Sequence, residues 1–136
     1  MQAQPFLVFD GVCEEALGFY RRALGAELGM LQRYKDSPDP SMVPAGNDDK
    51  IMYAELRVGD TLVLASDGRC QGHPSFHGFA LSLTVKDEAE ADRVFAALAE
   101  GGEVRMPLAQ TFFSARFGMV ADRFGVVWMV FVAPKE

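Results

Sequence analysis

Three stretches of the chain place reactive side chains at spacings with a chemical reading. The first is IMYAELRV (51–58). Strand alternation there puts Met52, Ala54, Leu56 and Val58 on one face and Ile51, Tyr53, Glu55 and Arg57 on the other. Glu55 is then a carboxylate beside a phenol, suited to general-base work or to hydrogen bonding a ligand. The competing reading is a carboxylate paired with Arg57 or another arginine. The second stretch, QTFFSARFG (110–118), sets Phe112, Phe113 and Phe117 around Arg116. Aromatics beside a guanidinium suit a flat or anionic ligand. Alternatively, Phe112 and Phe117 belong to the core and Arg116 pairs with a surface acid. The third is Cys70, His73 and His77, spaced C-x2-H-x3-H. Pro74 interrupts any helix that would align the histidines, and a fourth ligand is missing, so this stretch reads as linker rather than zinc site. Cys13 falls near a helix N-terminus but on its apolar face, which favours an inert thiol over a reactive one.

The elements that hold these residues repeat. Cys13, Ala16, Leu17, Tyr20 and Leu24 recur at helical spacing, with Asp10 as cap and Gly25 as stop. Ala91, Val94, Phe95 and Leu98 mark a second helix, opened by Asp87 with Glu90 and closed by Gly101-Gly102. Strands are expected at 5–9, 27–34, 51–58 and 61–66 around the first helix. Around the second they are expected at 79–85, 103–106, 118–121 and 126–132. Gly59-Asp60 predicts a two-residue hairpin, and Asp122 with Gly125 a tight turn. Each half therefore reads strand, helix, strand, strand, strand. An offset of about 75 residues lays Ala16 on Ala91, Phe19 on Val94 and Tyr20 on Phe95. The half-repeats cover 5–66 and 79–132, with a linker at 67–78. A proline- and aspartate-rich loop spans 36–49.

Length and composition fit this plan. The 136 residues suffice for one domain, 1–136, and a charge of -6 argues against nucleic acid or an anionic membrane as partner. The longest apolar run, Val126 to Ala133, falls far short of a bilayer span. The start, MQAQPFLVFDG, lacks a basic n-region, which predicts no signal peptide. Two cysteines, Cys13 and Cys70, suit a reducing cytoplasm. A glycine-rich phosphate loop, a nucleophile elbow and a basic aromatic patch are all missing from the sequence.

With FDGVCEEALGFYRRALGAEL, KIMYAELRVGDTLVLASD and TFFSARFGMVADRFGVVWMV in this order, the chain resembles the PhnB-like branch of the vicinal oxygen chelate superfamily. This is the glyoxalase, bleomycin-resistance and extradiol-dioxygenase group, and the resemblance covers residues 5 to 132. It implies an α+β fold of two βαβββ repeats, each a curved sheet cupped around a cavity, often in a homodimer. Metal-dependent members hold their ion at four strand positions. Carried over, these fall near Pro5, Glu55, Phe79 and Met129. Only Glu55 offers a hard donor, so the resemblance implies no metal and no other cofactor. The aromatic loop of the family often reads TFW, and Phe113 stands here for the tryptophan. Glu55 and Tyr53 would line the cavity, where desolvation would raise the Glu55 pKa.

The function expected is binding of a small organic molecule in a metal-free cavity, with Tyr53, Glu55, Phe113 and Arg116 as contacts. The alternative is an enzyme, a lyase, isomerase or dioxygenase, with Glu55 catalytic as base or held in an altered metal site. A third reading is a structural subunit with a vestigial cavity. Some PhnB-like proteins carry a demethylubiquinone methyltransferase label, but the chain has no glycine-rich turn for S-adenosylmethionine.

Overall fold

A computed structural model describes residues 1–39, 41, 43, 45–69 and 74–133. The chain divides into two units, Met1–Pro74 and Ser75–Glu136. The first runs β1 (Phe6–Val8), α1 (Cys13–Leu24), β2 (Glu27–Arg33), a 3-10 turn (Tyr34–Asp36), β3 (Ile51–Val58) and β4 (Thr61–Ser66). The second runs β5 (Leu81–Val85), α2 (Glu88–Ala99), β6 (Glu103–Ala109), β7 (Phe117–Ala121) and β8 (Val127–Val132). Each unit forms one four-stranded mixed sheet, ordered β1-β4-β3-β2 and β5-β8-β7-β6. The first strand pairs in parallel with the last, and the other pairs are antiparallel.

Each helix covers one face of its own sheet. In the first unit, Leu7, Ala65 and Ala54 lie in one cross-strand row and are buried with Ala16, Leu17 and Tyr20 of α1. In the second, Val120, Trp128 and Val130 are buried with Ala91, Val94, Phe95 and Leu98 of α2. Gly118 lies on this covered face, where a Cβ would stand 2.9 Å from a ring carbon of Phe95. The pairs related by the 75-residue offset are buried alike: Ala16 with Ala91, Phe19 with Val94, Tyr20 with Phe95.

Local chemistry explains most boundaries. Gly25 ends α1 in the left-handed conformation at φ 66°, a region that glycine enters without strain. Gly59, at φ 58°, turns the two-residue hairpin between Val58 and Thr61. Strand β6 continues past Met106 through Pro107 to Ala109. It is an edge strand, where a missing N–H leaves no ladder bond broken.

The cap of α1 differs from the expectation. Val12, not Asp10, is the N-cap residue, and it makes no side-chain cap bond. Asp67, just past β4 and 1% exposed, supplies the acceptor instead. Its Oδ1 accepts from the backbone N–H of Gly11 and of Cys13, both at 2.8 Å, and its Oδ2 from Ile51 at 2.8 Å. A buried carboxylate thus holds a helix entrance and a strand start together, as charge-assisted bonds permit. In α2 the expected local device is present: Asp87 accepts from Glu90 N–H at 2.8 Å.

Candidate functional site

The face of the first sheet that α1 leaves bare carries Glu55. Register places Phe6, Leu64 and Glu55 in one row across β1, β4 and β3. On β2, two residues, Gly29 and Met30, lie opposite Glu55, because the pairing shifts from Leu28–Leu56 to Leu31–Ala54. This is a β-bulge, a device that interrupts a ladder and re-aims side chains beside functional sites. A Cβ on Gly29 would stand 3.5 Å from the Glu55 carbonyl oxygen and 3.8 Å from Oε1. Glycine therefore leaves that side of the carboxylate uncovered. Phe6 is 49% exposed and Met30 51%, so the surround is apolar and bare within the unit.

The Tyr53 hydroxyl donates to Glu55 Oε2 at 2.8 Å. The bond and the carboxylate charge hold the Tyr53 pKa above its ordinary value, because both oppose the phenolate. Glu55 itself is half-buried, and its partner is this phenol rather than an enclosing apolar wall. Among the described residues neither Glu55 nor Arg57 makes an ion pair.

Strand alternation holds for Tyr53 to Arg57 and fails at Ile51. A second register shift, between Gln32–Tyr53 and Arg33–Ile51, inserts Met52 as an extra residue. Ile51 therefore turns to the helix side and is fully buried, instead of sharing a face with Tyr53.

Phe113 and Arg116 stand in the second unit. Phe112 is fully exposed and Phe113 41% exposed, so Phe112 is no core residue of this unit. Phe113 meets both Phe112 and Phe117 edge-to-face, at 5.1 Å between centroids in each case. The Arg116 guanidinium lies 3.3 Å from Glu88 and 3.4 Å from Asp92, both on α2. Ser114 ties this loop to the sheet: its Oγ is 2.7 Å from the Arg116 carbonyl and 2.8 Å from that of Val132. Trp128 is buried and donates Nε1–H to Asp122 Oδ2 at 2.9 Å.

The other candidates separate. Cys70 and His73 lie outside the described residues, and His77 is exposed. Burial pushes the Cys13 thiol pKa far up, and the Asp67 and Glu14 charges add to it, so the nucleophilic thiolate is not formed near neutral pH.

The donor set does not fit the metal that the resemblance raises. The row Phe6–Leu64–Glu55 offers one carboxylate, already bonded to Tyr53. The corresponding row of the second sheet is Ser82–Met129–Met119, two of whose side chains are thioethers. Among the described residues no three His, Cys, Asp or Glu side chains come together as a metal group.

Sequence reasoning missed three parts of the site and its frame. Gly29 within the strand run ELGMLQR was the available sign of the bulge. Leu64 and Phe6 become neighbours of Glu55 only through register, and Asp67 acts across 54 residues on Cys13.

Comparison with known proteins gives this geometry a family. The model of the family described as 3-demethylubiquinone-9 3-methyltransferase matches residues 1–131. Protein YjdN of Escherichia coli (strain K12) is 33% identical over 144 residues, with 100% of this chain and 98% of the relative covered. The crystal structure of protein PA1353 from Pseudomonas aeruginosa is similar at 45% identity and a TM-score of 0.87, with 99% of each chain covered. The PhnB protein from Bacillus cereus is similar at 29% identity and a TM-score of 0.81, covering 98% of this chain and 100% of that one. No helix among the described residues is long and apolar enough to cross a membrane. By sequence the chain belongs to the 3-demethylubiquinone-9 3-methyltransferase family, the PhnB-like proteins, and its doubled βαβββ architecture is the fold of the glyoxalase and bleomycin-resistance proteins.

Proposed function

We propose that this PhnB-like protein binds a small organic ligand without a metal, on the bare face of the first sheet around Glu55. The observation that carries the proposal is the Glu55 carboxylate itself. It is held by Tyr53, unpaired with any cation among the described residues, and left open by Gly29 in a row with Leu64 and Phe6. A few placed polar groups on an apolar ground are what small-molecule sites are made of. Tyr53 and Glu55 fix the polar end. In the second unit, Phe113 offers an exposed aromatic edge and Arg116 a guanidinium shared with Glu88 and Asp92, and we propose both as ligand contacts of that unit taken by itself.

Methyl transfer, which the family description names, finds little support in the strand-to-helix turns. The β1–α1 link is Phe9-Asp10-Gly11-Val12 and the β5–α2 link Lys86-Asp87, so neither is glycine-rich. A lyase, isomerase or dioxygenase reading would use Glu55 as base. Its support is the same Tyr53–Glu55 pair, which also holds a proton donor beside the acceptor. In either case the half-repeats act together as one domain, and the chain works as a homodimer in the cytoplasm. Apolar residues left bare outside the Glu55 face, Phe79, Val104 and Met106 in the second unit, support the dimer.

Native mass spectrometry of untagged protein, with a thermal-shift screen of small molecules, tests the proposal. The expected result is dimer mass, no retained divalent metal, and stabilising compounds whose effect disappears in Glu55→Ala. Stoichiometric metal lost in Glu55→Ala, or no stabilising compound in a broad screen, would overturn it.

A further inference from the structure

The charge at Glu55 narrows the ligand class, granted the binding reading above. Of its two carboxylate oxygens, Oε2 is satisfied by Tyr53, whereas Oε1 has no hydrogen-bond partner among the described residues. Oε1 is also the oxygen that faces Gly29 at the bulge, where a Cβ would stand 3.8 Å from it. Arg57 lies on the same face two residues along. Yet among the described residues neither Arg57 nor any other cation pairs with the carboxylate. A ligand that supplies a cation therefore gains a charge-assisted bond where a neutral or anionic one does not. The apolar part of the row then sets the rest of the molecule. Leu64 is the immediate neighbour, and Phe6 stands one strand farther on, roughly 10 Å from Glu55 by strand spacing. Its half-exposed ring offers a surface for an aromatic or aliphatic end.

We propose that the bare face of the first sheet takes a small organic amine, whose ammonium donates to Glu55 Oε1 while its apolar body lies over Leu64 toward Phe6. Binding is noncovalent, and no bond of the ligand is made or broken. Net acidity does not select the ligand, since most of the carboxylates lie elsewhere and several are ion-paired. Selectivity comes from one fixed oxygen and the apolar ground beside it.

Three probes that share a phenethyl group separate this from plain apolar binding: 2-phenylethylamine, 2-phenylethanol and 3-phenylpropionate. Each is titrated into the full chain while backbone amide shifts are followed, in wild type and in the isosteric Glu55→Gln. The amine is expected to bind about tenfold or more tightly than the other two, the size of one charge-assisted bond. Its shifts should fall on β1, β3 and β4, and Glu55→Gln should remove the preference. If alcohol and carboxylate shift the same strands with the affinity of the amine, the amine inference fails while the binding site stands. If no probe shifts those strands, both fail. A Gly29→Leu variant, which covers the Oε1 side, should weaken the amine and leave the alcohol nearly unchanged; equal loss of both would also count against the inference.

Discussion

Matching rows of the two sheets carry different chemistry. Phe6, Leu64 and Glu55 cross the first, and Ser82, Met129 and Met119 cross the second, with Met106 beside Met119 on the edge strand. One row presents a charge held by a phenol, and the other presents polarisable thioethers that adapt to apolar surfaces. The two units also anchor their helices differently. Asp67 caps α1 from the far end of β4, whereas Asp87 caps α2 from the adjacent residue. The buried aspartate of the second unit, Asp122, serves a turn instead: it accepts from Phe124 N–H at 2.8 Å, Val126 N–H at 3.1 Å and Trp128 Nε1–H. A repeated fold therefore conserves which face is covered while leaving free what is placed on the bare one and how the ends are tied. The first unit spent a long-range carboxylate on ordering Ile51, the first residue of the strand that bears Tyr53 and Glu55.

That contrast can be broken by substitution. Asp67→Ala leaves buried donors on Gly11, Cys13 and Ile51 without their acceptor, and should cost about 4 kcal/mol of stability. Chemical denaturation measures it, and a loss no larger than that of a surface substitution would remove Asp67 from its role. Asp122→Ala should cost about 3 kcal/mol by the same argument and change the emission of Trp128, whose indole N–H loses its acceptor. An unchanged spectrum would deny that contact. Asp87→Ala removes a local cap on an exposed helix start and should cost about 1 kcal/mol. If it equalled Asp67→Ala, the two helices would not be anchored differently after all.

A smaller effect reports on the candidate site directly. Tyr53 should ionise above the ordinary tyrosine range, because its proton is bound to Glu55 and a phenolate would face the carboxylate. A group with a raised pKa contributes its stability at neutral pH and loses it only as alkaline pH ionises it. Ultraviolet titration of the phenolates should show one of the three tyrosines moving to lower pH in Glu55→Ala, with the other two unmoved. No movement would mean that the Tyr53–Glu55 bond is not held in solution.

Much of this was legible from residue pattern, for reasons that also mark its limit. The α1 stripe, its Gly25 stop and the Gly59-Asp60 hairpin are local devices, and each stands where spacing placed it. Strand β6 runs beyond the expected end because Pro107 is harmless on an edge, and edge position is a property of the sheet. Ile51 left its expected face because a bulge at Met52 reset the alternation, and no residue at that place announces one. Glu55 was legible as a carboxylate on the bare face, since alternation from Ala54 and Leu56 dictates it. Its open Oε1 was not, because Gly29 meets it only after β2 and β3 pair with a shifted register. Asp67 lay within the expected linker, and its partners are far along the chain.

In the proposed function the polar anchor of the ligand lies in the first sheet at Glu55 and not at the matching thioether of the second. Thermal shifts by the compounds that stabilise the wild-type protein, measured on Glu55→Ala and on Met119→Leu, test this most directly. Met119→Leu keeps side-chain volume and should preserve the fold. Glu55→Ala is expected to abolish the shifts while Met119→Leu leaves them nearly intact. Shifts that survive Glu55→Ala and vanish in Met119→Leu would contradict it.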